Sequence, residues 1–357
     1  MKIITLIIAG GVGERFWPES RTAKPKQFLD LSGSGHPLIF DTAERVKSLT
    51  PYKDIYVVTG EKYKEAVLLS LPEIQDENVI LEPVGRNTAP AINLALRYIQ
   101  DRYNQDVVVV TIPSDQYIDD DKKYVELIEK ATNFLENNDA IVTIGINPSH
   151  PDTGFGYIEE GEEVENNLYK VRSFKEKPSL EVAKKYVKNG GYLWNAGMFI
   201  YKLSTMMHAF QKYMPQQYET LDNLFKLPKL EFYQNYATTF ASLEKISIDY
   251  GVMEKADNIY VTKGTFEWDD LGSWLAIDRH HQKDENGNIA KRAKVLNHNT
   301  KNTTIVSSTK KMFVTIGLED MVIVNTNDVI LIAKKDHIDE VKDVVNQLKG
   351  VDNNKYI

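Results

Sequence analysis

Apolar residues along this chain follow two alternating rhythms. Short continuous apolar runs at 3–9, 55–59, 79–81, 107–112 and 140–146 read as buried strands. Between them, spacings of three and four residues mark helices. Ile92, Leu96, Ile99 and Tyr103 fall on one helical face, with Thr88 as its candidate cap and Pro90 tolerated in the first turn. Val125, Ile128, Ala131 and Leu135 repeat the pattern over 121–135. Strands apolar on both faces, alternating with amphipathic helices, predict an α/β fold. The expected form is a Rossmann-like, mixed but mainly parallel sheet with helices on both faces. Ligands in such sheets bind beyond the carboxyl ends of the strands, so the segments after Ala9, Leu81 and Ile112 are where chemistry is expected.

From about 150 onward the pattern is mixed. Strands are expected at 169–174, 198–201 and 259–261, and helices at 180–188, 204–213 and around 218–236. The polar Asp284-Glu285-Asn286-Gly287-Asn288 is the strongest break, dividing the chain into 1–285 and 286–357. Beyond it, apolar runs at 304–306, 313–316, 321–324 and 329–333 predict a small β appendage, with turns at Glu319-Asp320 and Asn327-Asp328. Ile338, Val341, Val345 and Leu348 predict a terminal helix.

Composition narrows the classes. At 357 residues with no cysteine, the chain can bury a core unaided and has no disulfide, thiolate zinc site or cysteine nucleophile. A net charge of −8 argues against a nucleic-acid groove, but not against a nucleotide in a locally basic cleft. The apolar run after Met1-Lys2 ends too early for a signal peptide, and no run approaches the roughly 20 residues of a membrane span. A cytoplasmic protein without membrane partners is expected. The histidines show no zinc-hydrolase spacing, and there is no serine elbow.

The first strand runs directly into Gly10-Gly11-Val12-Gly13-Glu14-Arg15. Glycines allow a tight turn whose N–H groups can approach a phosphate. Phe16 replaces the third glycine of the dinucleotide fingerprint, and no Walker lysine follows. Lys24-Pro25-Lys26-Gln27-Phe28 adds cations that, with Arg15, could surround a triphosphate or simply sit solvated on a turn. The loop Glu82-Pro83-Val84-Gly85-Arg86-Asn87-Thr88 feeds a helix N-terminus, which favours polar or anionic groups. Asp115, in Pro113-Ser114-Asp115-Gln116, ends a central strand on a carboxylate suited to Mg²⁺ or to a cap.

These segments resemble the sugar-1-phosphate nucleotidyltransferases. Residues 10–18 with 24–28 look like the family signature, and the Trp17-Pro18 and Lys26-Gln27-Phe28 variants are those of the mannose-1-phosphate guanylyltransferases. This chain has Glu14 where Thr is commoner, and Gln116 where the family often has His. The resemblance implies a nucleotide site of Ala9, Gly10, Gly11, Gly13, Glu82, Asn87 and Thr88, with Arg15 and Lys26 as catalytic cations. Asp115 and Asp270 would hold the metal, Mg²⁺. Asp270 comes from Trp268-Asp269-Asp270-Leu271-Gly272, where local chemistry does not separate it from Asp269. Sugar phosphate would meet Gly156, Glu176, Lys177, Asn195, Gly197 and Asp249, though Asp249 could equally cap a helix and Asn195 could be a turn residue.

The implied reaction transfers GMP from GTP to α-D-mannose 1-phosphate, giving GDP-mannose and pyrophosphate. Another sugar 1-phosphate or nucleotide is the enzymatic alternative, and a non-catalytic nucleotide-sugar-binding relative is the other. The tail resembles the small left-handed β-helix-like piece of short family members, often used for pairing, which implies a homodimer. The chain lacks room for the isomerase domain, on the order of 100 residues, of bifunctional relatives, so no mannose 6-phosphate isomerase activity is expected.

Overall fold

A computed structural model describes residues 1–350 and 354–357. Its first elements are β1 (Ile3–Ala9), α1 (Leu38–Val46), β2 (Ile55–Gly60), α2 (Lys64–Ser70), β3 (Val79–Glu82), α3 (Thr88–Arg102) and β4 (Val108–Pro113). There follow β5 (Tyr117–Ile118), α4 (Asp121–Glu136), β6 (Ile141–Ile146), β7 (Tyr157–Glu165), β8 (Leu168–Lys175), α5 (Leu180–Asn189) and β9 (Tyr192–Lys202). Next are α6 (Leu203–Tyr213), α7 (Pro215–Phe225), α8 (Lys229–Ser242), β10 (Ile259–Lys263), β11 (Trp268–Asp269) and α9 (Leu275–His280). The tail holds β12 (Ile289–Lys291), β13 (Lys294–His298), β14 (Thr304–Ser307), β15 (Met312–Ile316), β16 (Met321–Asn325), β17 (Ile330–Lys334) and α10 (Val341–Gly350). They form two compact units. The first comprises Met1–Gly10, Thr42–Ser114 and Ile118–Trp268, the second Gly11–Asp41, Asp115–Tyr117 and Asp269–Ile357.

The first unit is built on a nine-stranded sheet, β3-β2-β1-β4-β9-β6-β10-β8-β7. β3, β2, β1 and β4 run parallel, and β6 is parallel to β10. β9 lies between these groups, antiparallel to both β4 and β6. The mixed sheet expected from the apolar runs is therefore present, with β9 as the strand that reverses direction. Ile4, Leu6 and Ile7 of β1 are wholly buried, as a central strand covered on both faces requires.

Helix α3 is buried more completely than its apolar stripe predicts. Ala89 to Arg97 are buried throughout, because α6 and α7 cover the side turned away from the sheet. Arg97 is accommodated there by Asp222 of α7 at 2.5 Å and by the Tyr218 carbonyl at 3.2 Å. Two expectations need correction. The single helix around 218–236 is two helices, because Pro228 is extended and caps α8. In α4 the buried face runs through Tyr124, Leu127, Ile128, Ala131, Phe134 and Leu135, and Val125 is only half-buried. The acidic β7 is not among the strands that apolar runs predict, although a strand could follow the Gly154–Gly156 turn. It is a strand because β8 and β9 both pair with it, a tertiary effect that overrides its poor strand propensity.

In the second unit the tail coils. β12, β14 and β16 form one parallel ladder that β17 joins antiparallel, and β13 pairs in parallel with β15. Asp284 organises the turn before β12 by accepting the Asn286 and Asn288 N–H groups at 2.9 and 2.7 Å. Ile289, Val306, Val322 and Val324 face a core that also contains Phe16, Trp17, Leu271 and Trp274. The glycine-loop segment thus shares its core with the β coils. Trp274 is fully buried, meets Phe16 edge-on at 5.1 Å and donates Nε1–H to the Trp17 carbonyl at 2.9 Å. Trp274→Ala should lower the unfolding free energy by about 3–5 kcal/mol in urea titration, the range for emptying a buried aromatic site. A loss below about 1 kcal/mol would show that this ring does not hold the unit together.

Candidate active site

The second unit assembles the glycine loop, an arginine, two lysines and three carboxylates around one cavity. Gly11 and Gly13 have φ of +84° and +69°, which side chains resist. A Cβ on Gly13 would also lie 2.4 Å from the Lys26 Cβ, so glycine is what lets Lys26 pass beneath the loop. The Lys26 N–H donates to the Val12 carbonyl at 3.2 Å. Its buried ammonium lies 3.0 Å from Asp115 Oδ2 and donates to the Asp270 carbonyl at 2.5 Å. A buried ammonium is tolerated only when paired, so this contact ties together three segments far apart in sequence. The cavity measures about 390 Å³, and its lining brings Gly13, Arg15, Lys26, Asp115 and Asp270 together.

The structure separates the adjacent aspartates. Asp269 is buried and accepts from Arg279 Nε at 2.5 Å, from the Leu271 N–H at 2.8 Å, and from His280 Nε2 at 2.8 Å. Burial opposes its ionisation, but the His280 and Arg279 hydrogen bonds outweigh this and hold the carboxyl well below its usual range. Tyr117 stacks on His280 at 4.0 Å. Asp269 is therefore an anchor, and Asp270 is the carboxylate that lines the cavity. Asp115 and Asp270 make a hard-oxygen pair, and no cluster of three or more metal-binding side chains occurs among the described residues. That donor set fits Mg²⁺, which binds through one or two carboxylates together with substrate phosphates.

The residues expected to meet sugar phosphate cluster in the first unit. Asn195 donates Nδ2–H to Asp249 Oδ1 at 3.0 Å, and its Oδ1 accepts the Gly197 N–H at 3.1 Å. Its own N–H donates to the Gly156 carbonyl at 2.8 Å. A Cβ on Gly156 would fall 2.6 Å from Glu176 Oε2, so a larger residue there would have to shift that buried carboxylate. Lys177 Nζ donates to Glu176 Oε1 at 2.7 Å, so these two side chains pair with each other. Burial and the Glu176 charge push Asp249 up to about 6, against the pull of Lys177. Sequence reasoning did not identify two supports of this cluster. Thr143 donates to Asn195 Oδ1 at 3.2 Å, and Glu254 accepts the Glu176 N–H at 2.9 Å.

The Glu82 segment belongs to the same unit. Asn87, at φ 72°, caps α3 by accepting the Thr88 N–H at 2.8 Å, which corrects the expectation that Thr88 is the cap. Thr88 Oγ1 instead accepts the Ile248 N–H at 2.9 Å. That bond joins the expected base-binding segment to the chain entering Asp249. Glu82 is buried and accepts the Arg86 backbone N–H, while its Oε1 has no hydrogen-bond partner among the described residues. Burial pushes this carboxyl up to about 7. An orphaned buried acceptor is a place for a ligand donor.

A nucleotidyl transferase family model matches residues 4–287, and a MannoseP isomerase/GMP-like beta-helix domain model matches 294–348. Fold and site therefore define a nucleotidyltransferase enzyme. A mannose-1-phosphate guanylyltransferase of Salmonella typhimurium is 36% identical over 100% of this chain, which covers 74% of that protein. One of Sinorhizobium fredii is 33% identical over 99% of this chain and 69% of its own length. A solved structure from Thermus thermophilus, described as a mannose-1-phosphate geranyltransferase, aligns with a TM-score of 0.87 at 32% identity, covering 98% of this chain and 100% of that one. The chain belongs to the mannose-1-phosphate guanylyltransferase family.

Glu82 makes a pH signature available. Its folded pKa of about 7 exceeds the ordinary 4.5, so the folded state holds the proton more tightly. Its contribution to stability therefore falls as pH rises from about 4.5 to 7 and is flat above. Glu82→Gln should remove that fall. Its stability advantage over the parent should grow across this window by up to about 3 kcal/mol, read by urea unfolding at a series of pH values. A pH-independent difference between the two proteins would mean the carboxylate is not perturbed.

Proposed function

We propose that the chain transfers GMP from GTP to α-D-mannose 1-phosphate, releasing pyrophosphate and GDP-mannose. The cavity that unites Gly13, Arg15, Lys26, Asp115 and Asp270 carries this reading, because it places anion donors and metal-type carboxylates together. The loop from Ala9 through Gly13 would cradle the triphosphate by backbone N–H groups, with Arg15 and Lys26 countering its charge. Guanine presents N1–H and an amino group, both donors for the orphaned Glu82 oxygen, and Asn87 and Thr88 border that site. Asn195, Gly197, Asp249 and Glu176 supply hydroxyl partners for the sugar, around the close backbone approach at Gly156. Lys177 would meet the sugar phosphate, exchanging part of its bond to Glu176 for it.

A phosphate monoester is already largely dianionic at neutral pH, so the acceptor needs no strong protein base. Its oxygen attacks the α-phosphorus, and the bond to the β-phosphate oxygen breaks with its electron pair leaving on pyrophosphate. The difficulty is bringing two anions together in line, and this chain's contribution is alignment and charge balance. Asp115 and Asp270 would hold Mg²⁺, which supplies further charge neutralisation at the phosphates. Asp270→Asn or Asp115→Asn should reduce pyrophosphate release from GTP and mannose 1-phosphate by two or more orders of magnitude, with the circular dichroism spectrum unchanged. Near-parental turnover would remove both residues from the reaction. Pyrophosphate release with each NTP against several sugar 1-phosphates tests the substrates themselves.

In this reading residues 1–285 carry the transfer and 286–357 form an appendage that pairs two chains. No helix among the described residues is long and apolar enough to cross a membrane. Leu296 and Val314 lie opposite each other in the β13–β15 ladder, and Met312 and Ile316 flank them on the same exposed side. These four side chains are 55% to 70% exposed, an apolar row suited to a self-complementary contact with a second copy. Light scattering should give twice the chain mass, and Val314→Lys should halve it. A parent that scatters as a monomer would remove the pairing role.

A further inference from the structure

The terminal helix reaches the phosphate cavity. Lys342, in the first turn of α10, lines the cavity alongside Arg15 and Lys26. Lys349 lies two helical turns further on, hence on the same face, and pairs with Glu14 of the glycine loop at 2.5 Å. The neighbouring face is fixed, because Val341 and Val345 are buried in the core that holds Phe16 and Trp17.

Charge at the cavity is nearly balanced and unevenly committed. The lining carries Arg15, Lys26 and Lys342 against Glu14, Asp115 and Asp270. Lys26 is taken up by Asp115 and the Asp270 carbonyl, and Glu14 by Lys349. Arg15 and Lys342 are exposed and have no hydrogen bond or ion pair among the described residues. Two solvated cations with no protein partner then face one cavity, each able to exchange water for an anion. Glu14 is the discordant group, since a carboxylate in a phosphate-binding loop repels its ligand at contact distance. Lys349 cancels that charge from α10.

We propose that α10 completes the subsite for the pyrophosphate portion of the nucleotide. Lys342 contacts the β- and γ-phosphates, and Lys349 is a positioning residue that keeps Glu14 from opposing them. This rests on reading the cavity as the triphosphate site. In that reading Lys177, paired with Glu176, is the sugar-phosphate cation, and Lys342 is assigned to the leaving group.

The test uses the full chain. Lys342→Ala should raise the KM for GTP and the calorimetric Kd for inorganic pyrophosphate about tenfold, the scale of one charge-assisted hydrogen bond, with the KM for mannose 1-phosphate unchanged. Lys342→Arg should retain most of the affinity. Lys349→Met should weaken pyrophosphate binding, and adding Glu14→Gln should restore it to within about twofold, a rescue that loss of helix packing would not show. Parental GTP KM and pyrophosphate Kd in Lys342→Ala would overturn the contact, and failure of Glu14→Gln to rescue would overturn the role of Lys349. A parent that transfers no nucleotide to any sugar phosphate would instead sink the functional reading, while pyrophosphate calorimetry would still decide the role of Lys342.

Discussion

The buried ammonium of Lys26 is the constraint on which the cavity depends. An unpaired charge in that position would cost several kcal/mol, so the fold must bring it an acceptor. It receives two, the Asp115 carboxylate and the Asp270 carbonyl. Satisfying one lysine thereby fixes the loop after the first strand, the turn after the fourth and the Asp269-Asp270 corner. Gly13 is the steric counterpart, because any side chain there would displace Lys26. Asp269 is the electrostatic counterpart, because Arg279 and His280 hold the corner from behind.

The same economy operates in the first unit. Glu176 is buried against Gly156, paired with Lys177 and supported through its backbone by Glu254. Asn195 is held by Thr143, Gly197 and Asp249, so its amide orientation is set before any ligand arrives. Preorganised polar groups of this kind lose little when a substrate hydroxyl joins them. The net charge of −8 is no obstacle to binding polyanions, because Arg15, Lys26 and Lys342 supply cations where they are needed.

Much of the fold was legible from the apolar runs. β1, β2, β3, β4 and β6 fall within a residue of the expected strands, since strands covered on both faces must be continuously apolar. Elements shaped by their neighbours were not legible. β7 is acidic and becomes a strand through its partners, and α3 is buried on sides that its stripe leaves unmarked because other helices cover it. Among site residues, the glycine loop and Lys26 stand out by type and order. Asp269 and Asp270 carry the same side chain at adjacent positions, and only their partners distinguish them.

Sequence by itself determined the class of protein, the order of its elements, and which loops carry glycine, lysine and aspartate for phosphate chemistry. These follow from local rules: apolar period, turn residues and motif composition. The tertiary structure decided which aspartate faces the cavity, that Asn87 rather than Thr88 caps α3, and that Glu82 keeps an unsatisfied oxygen. It also decided that Lys342 and Lys349 of a plain terminal helix meet the glycine loop. Those outcomes depend on burial and on partners remote in the chain, and a lysine on an amphipathic helix carries no mark of the cavity it will face.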